Sequence, residues 1–416
     1  MGQNKLDTVL EPNSNKVFIL DSMMGRGKTT TMMNLVPLFM GQRFIYVVEY
    51  LSEADRVKTE LEQKGIKVFS PEKKGKELKS KTIKGLLNKG VNIVTTHALL
   101  DKLDTVALDI LKSNEYIIIL DETHKILDKY PISEMDLKLL IENGLIEVKR
   151  DVGKSDTIGR IIWKDEKYKG KFNDFKNLAM LGNVYIYSKD VYIWTFPVEL
   201  FKKANRCFIL TYLFQGSLMK SYFDFFSVDY EMLHLKGDME LVEWTEELQK
   251  KDIERIAPLI NIYEGNLNID SKAITLSSSY FNRITEEETT LLRNNLVNYF
   301  INIVKGKSDE NMWTTLMDFK GKLKGKGYTK GFVSLSMRST NEYRHKKNLA
   351  YVYNRYLNPI EKQFFTSRGI EVNENLYAIS ELLQWIFRAQ IRDDKPINVY
   401  IPSKRMRTLL KEFLGK

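Results

Sequence analysis

Short apolar runs rich in β-branched residues recur through the first half of the chain, at residues 17–20, 44–48, 91–95, 116–120 and 207–210, and each predicts a buried strand. Between several of them lie segments with apolar positions at helical spacing, such as 29–40 and 53–64. Strands that are apolar on both faces, alternating with helices, predict βαβ units around a parallel sheet. The second half resumes the pattern with strand-like 272–276, helical 286–303, strand-like 331–335, helical 376–390 and strand-like 397–401. The interval 152–190 breaks it: short segments at 159–163 and 183–187 are divided by glycine- and lysine-rich turns, which predicts a small β-rich insertion. A charged stretch, 236–254, follows strand-like 230–235 and is the expected link between domains. The expected organisation is therefore α/β, with a first domain over 1–235 that carries the insertion and a second over 236–416.

Composition agrees with two domains, since 416 residues exceed the size at which one core usually stops growing. Hydrophobic residues at 43% can fill two cores, and charged residues at 28% suit a solvated surface. A single cysteine, Cys207, excludes an internal disulfide framework and, with four histidines, argues against a structural zinc site, so a reducing cytosol is the expected home. Residues 1–12 lack the apolar core of a secretory signal, and no run approaches the ~18 apolar residues of a membrane span. The formal charge of +10 favours a polyanionic partner through phosphate neutralisation.

The strand at 17–20 leads into Asp21-Ser22-Met23-Met24-Gly25-Arg26-Gly27-Lys28-Thr29-Thr30 and then a helical segment, the strand–loop–helix setting of a phosphate-binding loop. Gly25 and Gly27 let backbone N–H groups curl around phosphate oxygens, and the helix N-terminus adds the positive end of its dipole. Ser22, Gly25, Arg26, Gly27, Lys28, Thr29 and Thr30 are the candidate nucleotide contacts. Among them Lys28 is expected to reach the β- and γ-phosphates and Thr29 to present its hydroxyl to magnesium. The strand at 116–120 ends in Asp121-Glu122-Thr123-His124, and the carboxyl end of a buried parallel strand is where such sheets bind ligands. Asp121 suits a magnesium ligand and Glu122 a base that orients water.

Ser-x-x-Gly-x-Gly-Lys-Thr at 22–29 and Asp-Glu-Thr-His at 121–124 resemble motifs I and II of superfamily 2 helicases of the DEAD/DEAH type. Ser22 stands where the general pattern begins with glycine, a position at which those helicases often carry a small residue. Residues 44–49 resemble the motif Ia strand, Val94-Thr95-Thr96-His97 the motif Ib region, and Leu210-Thr211-Tyr212 the position of motif III. The resemblance implies that Thr95 and Thr96 contact a nucleic-acid backbone.

In the second half, Gln384, Arg388 and Arg392 fall on one stripe of a predicted helix, spanning roughly 80°. A solvated stripe would look the same, but this one resembles motif VI, which implies that Gln384 and the arginines complete the nucleotide site. Phe387 replaces a common glycine and the second arginine comes one residue late, so the choice of arginine finger between Arg388 and Arg392 stays open. The segment 320–347 carries Lys322, Lys324 and Lys326 among other basic residues, interleaved with Tyr328, Phe332 and Tyr343. Such a mixture suits phosphate tracking and base stacking, with a solvated lysine loop over core aromatics as the alternative. Asn341, in Ser339-Thr340-Asn341, matches the motif V region loosely.

The whole set is similar to phage-encoded replication-type helicases. That resemblance implies two tandem RecA-like P-loop domains, ATP and Mg2+ as cofactors, and single-stranded or forked DNA in preference to RNA. It also implies replication or recombination proteins as partners in a bacterial host cytoplasm. A P-loop ATPase that remodels or packages without unwinding, and a nucleotide-sensing nucleic-acid-binding module, are the other readings the residues allow.

Overall fold

The computed structural model describes residues 4–11, 15–39, 41–71, 79–101, 103–123, 125–150, 158–187, 191–237, 239–269, 272, 274–335, 337 and 342–416. It divides into two compact units: Met1–Ser22, Gly27–Glu243 and Asn358–Val372 form the first, and Met23–Arg26, Trp244–Leu357 and Asn373–Lys416 the second. Residues 236–243 and Asn358–Val372, which the sequence pattern assigned to the second domain, thus group with the first unit.

In chain order the first unit contains β1 (Lys16–Asp21), β2 (Phe44–Val48), β3 (Ile93–Thr96) and β4 (Ile117–Asp121), then β5 (Leu127–Lys129), β6 (Ile146–Arg150), β7 (Ile158–Trp163), β8 (Val184–Tyr187) and β9 (Val191–Thr195). It closes with β10 (Arg206–Thr211), β11 (Glu231–Gly237) and β12 (Glu240–Glu243). The main sheet has the order β12-β11-β1-β10-β4-β2-β3 and is parallel except for the β11–β12 pair. Alternation along the strands splits its core in two. Ile19, Ile45, Val47, Ile118, Leu120 and Ile209 face one layer, and Phe18, Leu20, Tyr46, Ile119, Phe208 and Leu210 the other. The near-continuous apolar runs seen in the sequence are the consequence of this burial on both faces.

The insertion is longer and more mixed than the sequence pattern suggested. Strands β5 to β9 make a separate antiparallel sheet in the order β5-β9-β8-β7-β6, joined by the helices Glu134–Glu142 and Asn173–Met180. Leu137, Leu140, Ile161, Trp163, Phe175 and Val184 form its own core, while Ile158, Tyr185 and Ile193 join the core of the first unit. The same core receives Phe364 and Phe365 from the helix Pro359–Thr366.

The second unit holds β13 (Ile260–Ile262), β14 (Asn311–Thr314), β15 (Asn348–Tyr351) and β16 (Ile397–Tyr400), parallel in the order β13-β16-β15-β14. Here the sequence pattern needs correcting. Described residues of 272–276 are not a strand: Ile274 is 47% exposed and Leu276 turns the chain with φ 65°. Residues 331–335 contribute only a single bridge, Phe332 to Trp313, after a 3-10 turn over Thr329–Gly331. The charged stretch 236–254, expected as the link between domains, contains the change from the first unit to the second at Glu243–Trp244, and among its described residues are β12 and the helix that begins at Glu246. The helix predicted over 29–40 ends at Leu35 and tightens to a 3-10 turn over Val36–Leu38, where Pro37 has no N–H to give. That predicted over 286–303 stays α-helical to Asn298 and widens to a π turn over Tyr299–Ile303.

Candidate nucleotide-binding site

Strand β1 delivers the chain into the glycine-rich loop, and the helix Lys28–Leu35 receives it. Gly25 and Gly27 have φ of 81° and 83°, in the left-handed region that a side chain would strain, so the curl of the loop depends on these two glycines. Gly27 is the N-cap, and Thr30 is exposed on the first turn. Ser22 is fully buried: its hydroxyl accepts the Leu235 N–H at 2.7 Å and lies 3.3 Å from His234 Nδ1, a role in holding β1 to β11. The Lys28 ammonium donates to the Ser22 carbonyl, so it folds back over the loop. Arg26, within the second unit, is paired with Asp252 at 2.5 Å.

At the end of β4, Asp121 meets the loop. Thr29 donates its hydroxyl to Asp121 Oδ1 at 3.1 Å, and Tyr46 donates its own to Oδ2 at 3.1 Å. Part of the Asp121 surface reaches solvent, yet the carboxyl is packed deeply enough to lose much of its hydration. Burial first, and the neighbouring Glu122 charge second, push its pKa up from 3.8 to about 6, against the opposing effects of Thr29, Tyr46 and Lys28. Glu122 is half-buried with φ 85°, unusual for a residue with a side chain, and its N–H donates to the Leu210 carbonyl at 3.0 Å. Ser22 N–H donates to the next carbonyl along β10, Thr211, at 3.1 Å. The end of β10 therefore ties the loop to the Asp-Glu pair. Asp21 fixes the following turn by accepting the N–H groups of Leu213 and Phe214, both at 2.9 Å. His124 lies outside the described residues.

Sequence reasoning passed over Tyr46 and Asp21. An acidic residue immediately before the glycine-rich loop was a usable signal for Asp21, whereas Tyr46 reaches the site only through the pairing of β2 with β4.

Thr95 is buried at 4% exposure, and Thr96 is half-buried where β3 turns into the helix His97–Leu100. In the second unit the predicted arginine stripe is broken. The helix Glu374–Ile386 carries Gln384 but stops before Arg388, and Arg392 falls in the 3-10 turn Gln390–Asp393, so the three do not share one helical face. Arg388 is 5% exposed and donates to the Ser334 carbonyl at 3.1 Å, while Arg392 is half-buried. Lys322, Lys324 and Lys326 are exposed, on and just after the short helix Lys320–Leu323. Of the aromatics in this segment Tyr328 is packed inside, and Phe332 and Tyr343 are half-buried. Tyr328 is fully buried against Phe300 and Trp313, the Lys320 ammonium lies 4.7 Å over Phe332, and that of Lys322 lies 4.8 Å over Phe319. Asn341, with Ser339 and Thr340, lies outside the described residues.

Residues 3–148 match the type III restriction enzyme, res subunit family, residues 127–194 the YonV middle domain, and residues 254–414 the YonV C-terminal Rossmann-like domain. Over 420 residues the chain is 37% identical to the SPbeta prophage-derived uncharacterized protein YonV of Bacillus subtilis (strain 168), covering 96% of this chain and 98% of that protein. Among solved structures it is similar to an apo XPD (TM-score 0.52, 13% identity, 99% of this chain and 98% of that one). It is also similar to Xpd4 of S. tokodaii (TM-score 0.50, 11% identity, 99% and 96%).

Proposed function

The chain belongs to the YonV family, with an α/β fold of the two-domain, RecA-like, superfamily 2 helicase kind, and on that premise we propose that it is a nucleoside-triphosphate hydrolase that moves along or remodels nucleic acid. The observation that carries this reading is the approach of Thr29 Oγ1 to Asp121 Oδ1, 3.1 Å apart, between a glycine-rich loop and the carboxyl ends of parallel strands. A hydroxyl and a carboxylate oxygen converging there are the hard oxygen donors that Mg2+ takes, and the raised pKa of Asp121 marks a carboxyl that a cation would stabilise. Thr29 and Asp121 would hold the ion, which when bound supplies charge to neutralise the β- and γ-phosphate oxygens.

The residues of the chain divide the remaining work. Gly25, Gly27 and the helix N-terminus present N–H groups to phosphate oxygens, and Lys28 swings its ammonium from the Ser22 carbonyl onto them. Glu122 accepts a proton from the attacking water and orients it. Arg388 or Arg392 stabilises charge on the transferred phosphoryl group, a reading supported by the resemblance of their segment to motif VI. The nucleotide is ATP, and the polymer is single-stranded or forked DNA, held in part by Lys322, Lys324 and Lys326. The setting is phage replication or recombination in a bacterial cytoplasm. The net charge of +10 supports a polyanionic partner, and kinship with a prophage protein is what favours DNA.

The test is triphosphate hydrolysis by the full chain with and without single-stranded DNA, duplex DNA and RNA. ATP turnover should rise with single-stranded DNA. Glu122→Gln should keep ATP binding and lose about 10²-fold or more in turnover, and Lys28→Ala should weaken binding itself. Turnover that ignores every nucleic acid would leave a remodelling ATPase, and wild-type turnover by Glu122→Gln would remove the assigned base.

A further inference from the structure

The two oxygens of Asp121 are held by different hydroxyls. Oδ1 accepts from Thr29, and Oδ2 accepts from Tyr46. Tyr46 is fully buried in the middle of β2, with Ile119 as its partner on β4. Residues 119 and 121 point to the same face of β4, because side chains alternate along a strand. A tyrosine at position 46 therefore shares that face and is long enough to reach the carboxylate two residues further along.

We propose that Tyr46 is a positioning residue of the magnesium–nucleotide site: its hydroxyl pins Asp121 Oδ2 and so keeps Oδ1 turned towards Thr29. This rests on the hydrolase reading above. A carboxylate anchored at one oxygen cannot rotate about its Cβ–Cγ bond without breaking that hydrogen bond, so the donor set stays assembled before any cation arrives. Outer partners of ligating carboxylates typically affect metal affinity by about 10- to 100-fold. The competing account is that a buried phenol needs an acceptor and Asp121 is merely within reach. That account predicts a loss of stability with no selective effect on magnesium.

The two accounts separate in a titration of Mg2+ against binding of a fluorescent ATP analogue, on the full chain carrying Tyr46→Phe. The magnesium concentration at half-maximal binding should rise by about 10-fold or more, while binding in excess EDTA stays at the wild-type level. In an Asp121→Asn background, Tyr46→Phe should produce no further shift, because its effect runs through the carboxylate. A wild-type magnesium midpoint in Tyr46→Phe, or an equal shift in both backgrounds, overturns the proposal. Should the variant fail to fold, wild-type protein with ring-labelled tyrosine gives the answer. The Tyr46 resonance should move when Mg2+ and nucleotide are added, and an unmoved resonance overturns the proposal equally. Wild type and Lys28→Ala are the controls for the underlying reading: if wild type binds no nucleotide the hydrolase reading fails, whereas Lys28-dependent binding with an unaffected Tyr46→Phe sinks this inference alone.

Discussion

Burial first, and the charge of adjacent Glu122 second, disfavour the ionised form of the Asp121 carboxyl. Its pKa is about 6 in the folded chain and 3.8 in its ordinary setting, so between those values the folded protein holds a proton that the unfolded chain has released. Stability contributed by this group is complete below about pH 4 and is lost as pH rises through about 6. In magnesium-free buffer, Asp121→Asn should therefore gain stability relative to wild type as pH goes from 4 to 7, read as the difference between their urea midpoints. A difference that does not change with pH would mean that Asp121 is not strained by burial. Added Mg2+ should shrink the difference, because a cation favours the ionised carboxylate. Legibility at this scale was uneven for a physical reason. Lys28, Thr29 and Asp121 sit in local patterns whose chemistry follows from spacing, whereas Tyr46 acquires its place only when two strands distant in sequence pair.

At the scale of elements, the first sheet was readable, whereas in the second the sequence pattern found β16, within strand-like 397–401, and missed β13, β14 and β15. β1, β2, β4 and β10 are runs of Ile, Val, Leu and Phe buried on both faces, and periodicity finds such strands easily. β14 reads Asn-Met-Trp-Thr and β15 Asn-Leu-Ala-Tyr, each four residues long and without Val or Ile. Trp313, Thr314 and Tyr351 suit a strand, but runs this short and this mixed show no period that separates them from a loop or a helix segment. What the sequence pattern missed there is a row of asparagines in register across the sheet: Asn261, Asn398, Asn348 and Asn311. Asn398 Nδ2 donates to Asn348 Oδ1 and Asn348 Nδ2 to Asn311 Oδ1, each at 3.0 Å, and Asn311 Nδ2 donates to the Gly327 carbonyl at 2.9 Å. A one-residue slip would break every link, so the row specifies register. Asn348→Ala removes the central member, which is 1% exposed, and leaves polar atoms on Asn311 and Asn398 without partners. The expected cost is about 1–3 kcal/mol, seen as faster amide hydrogen exchange in β14, β15 and β16. Asn261→Ala, at the edge and with a 3.5 Å contact, should change exchange little. Equal effects from the two variants would show that the row carries no cooperative load.

For the whole molecule, the order of residues along the chain and the membership of the two units do not coincide. Residues Asn358–Val372 leave the second unit's sequence, belong to the first unit, and are followed by a return to the second at Asn373. The helix Pro359–Thr366 buries Phe364 and Phe365 completely. The Phe364 ring lies 5.5 Å from Tyr185 of the insertion sheet and 5.2 Å from Phe225, and Tyr187 donates to Gln363 at 2.9 Å. Ser221 adds a hydrogen bond to the Glu371 carbonyl at 3.1 Å. Sequence could show that this segment is amphipathic but not which core receives it, because an apolar helical face carries no address. The first unit is therefore completed by residues encoded over a hundred positions after β12, and a fragment ending at Glu243 lacks part of its own core. Phe364→Ala in the full chain should cost about 3–5 kcal/mol, the usual range for emptying a buried phenylalanine site. Hydrogen exchange should locate the damage in β7, β8 and the helix Leu218–Phe226 while the amides of β14 to β16 keep their wild-type protection. Loss of protection confined to β14–β16 would instead assign the segment to the second unit, and no loss anywhere would mean that Phe364 is not packed in a core.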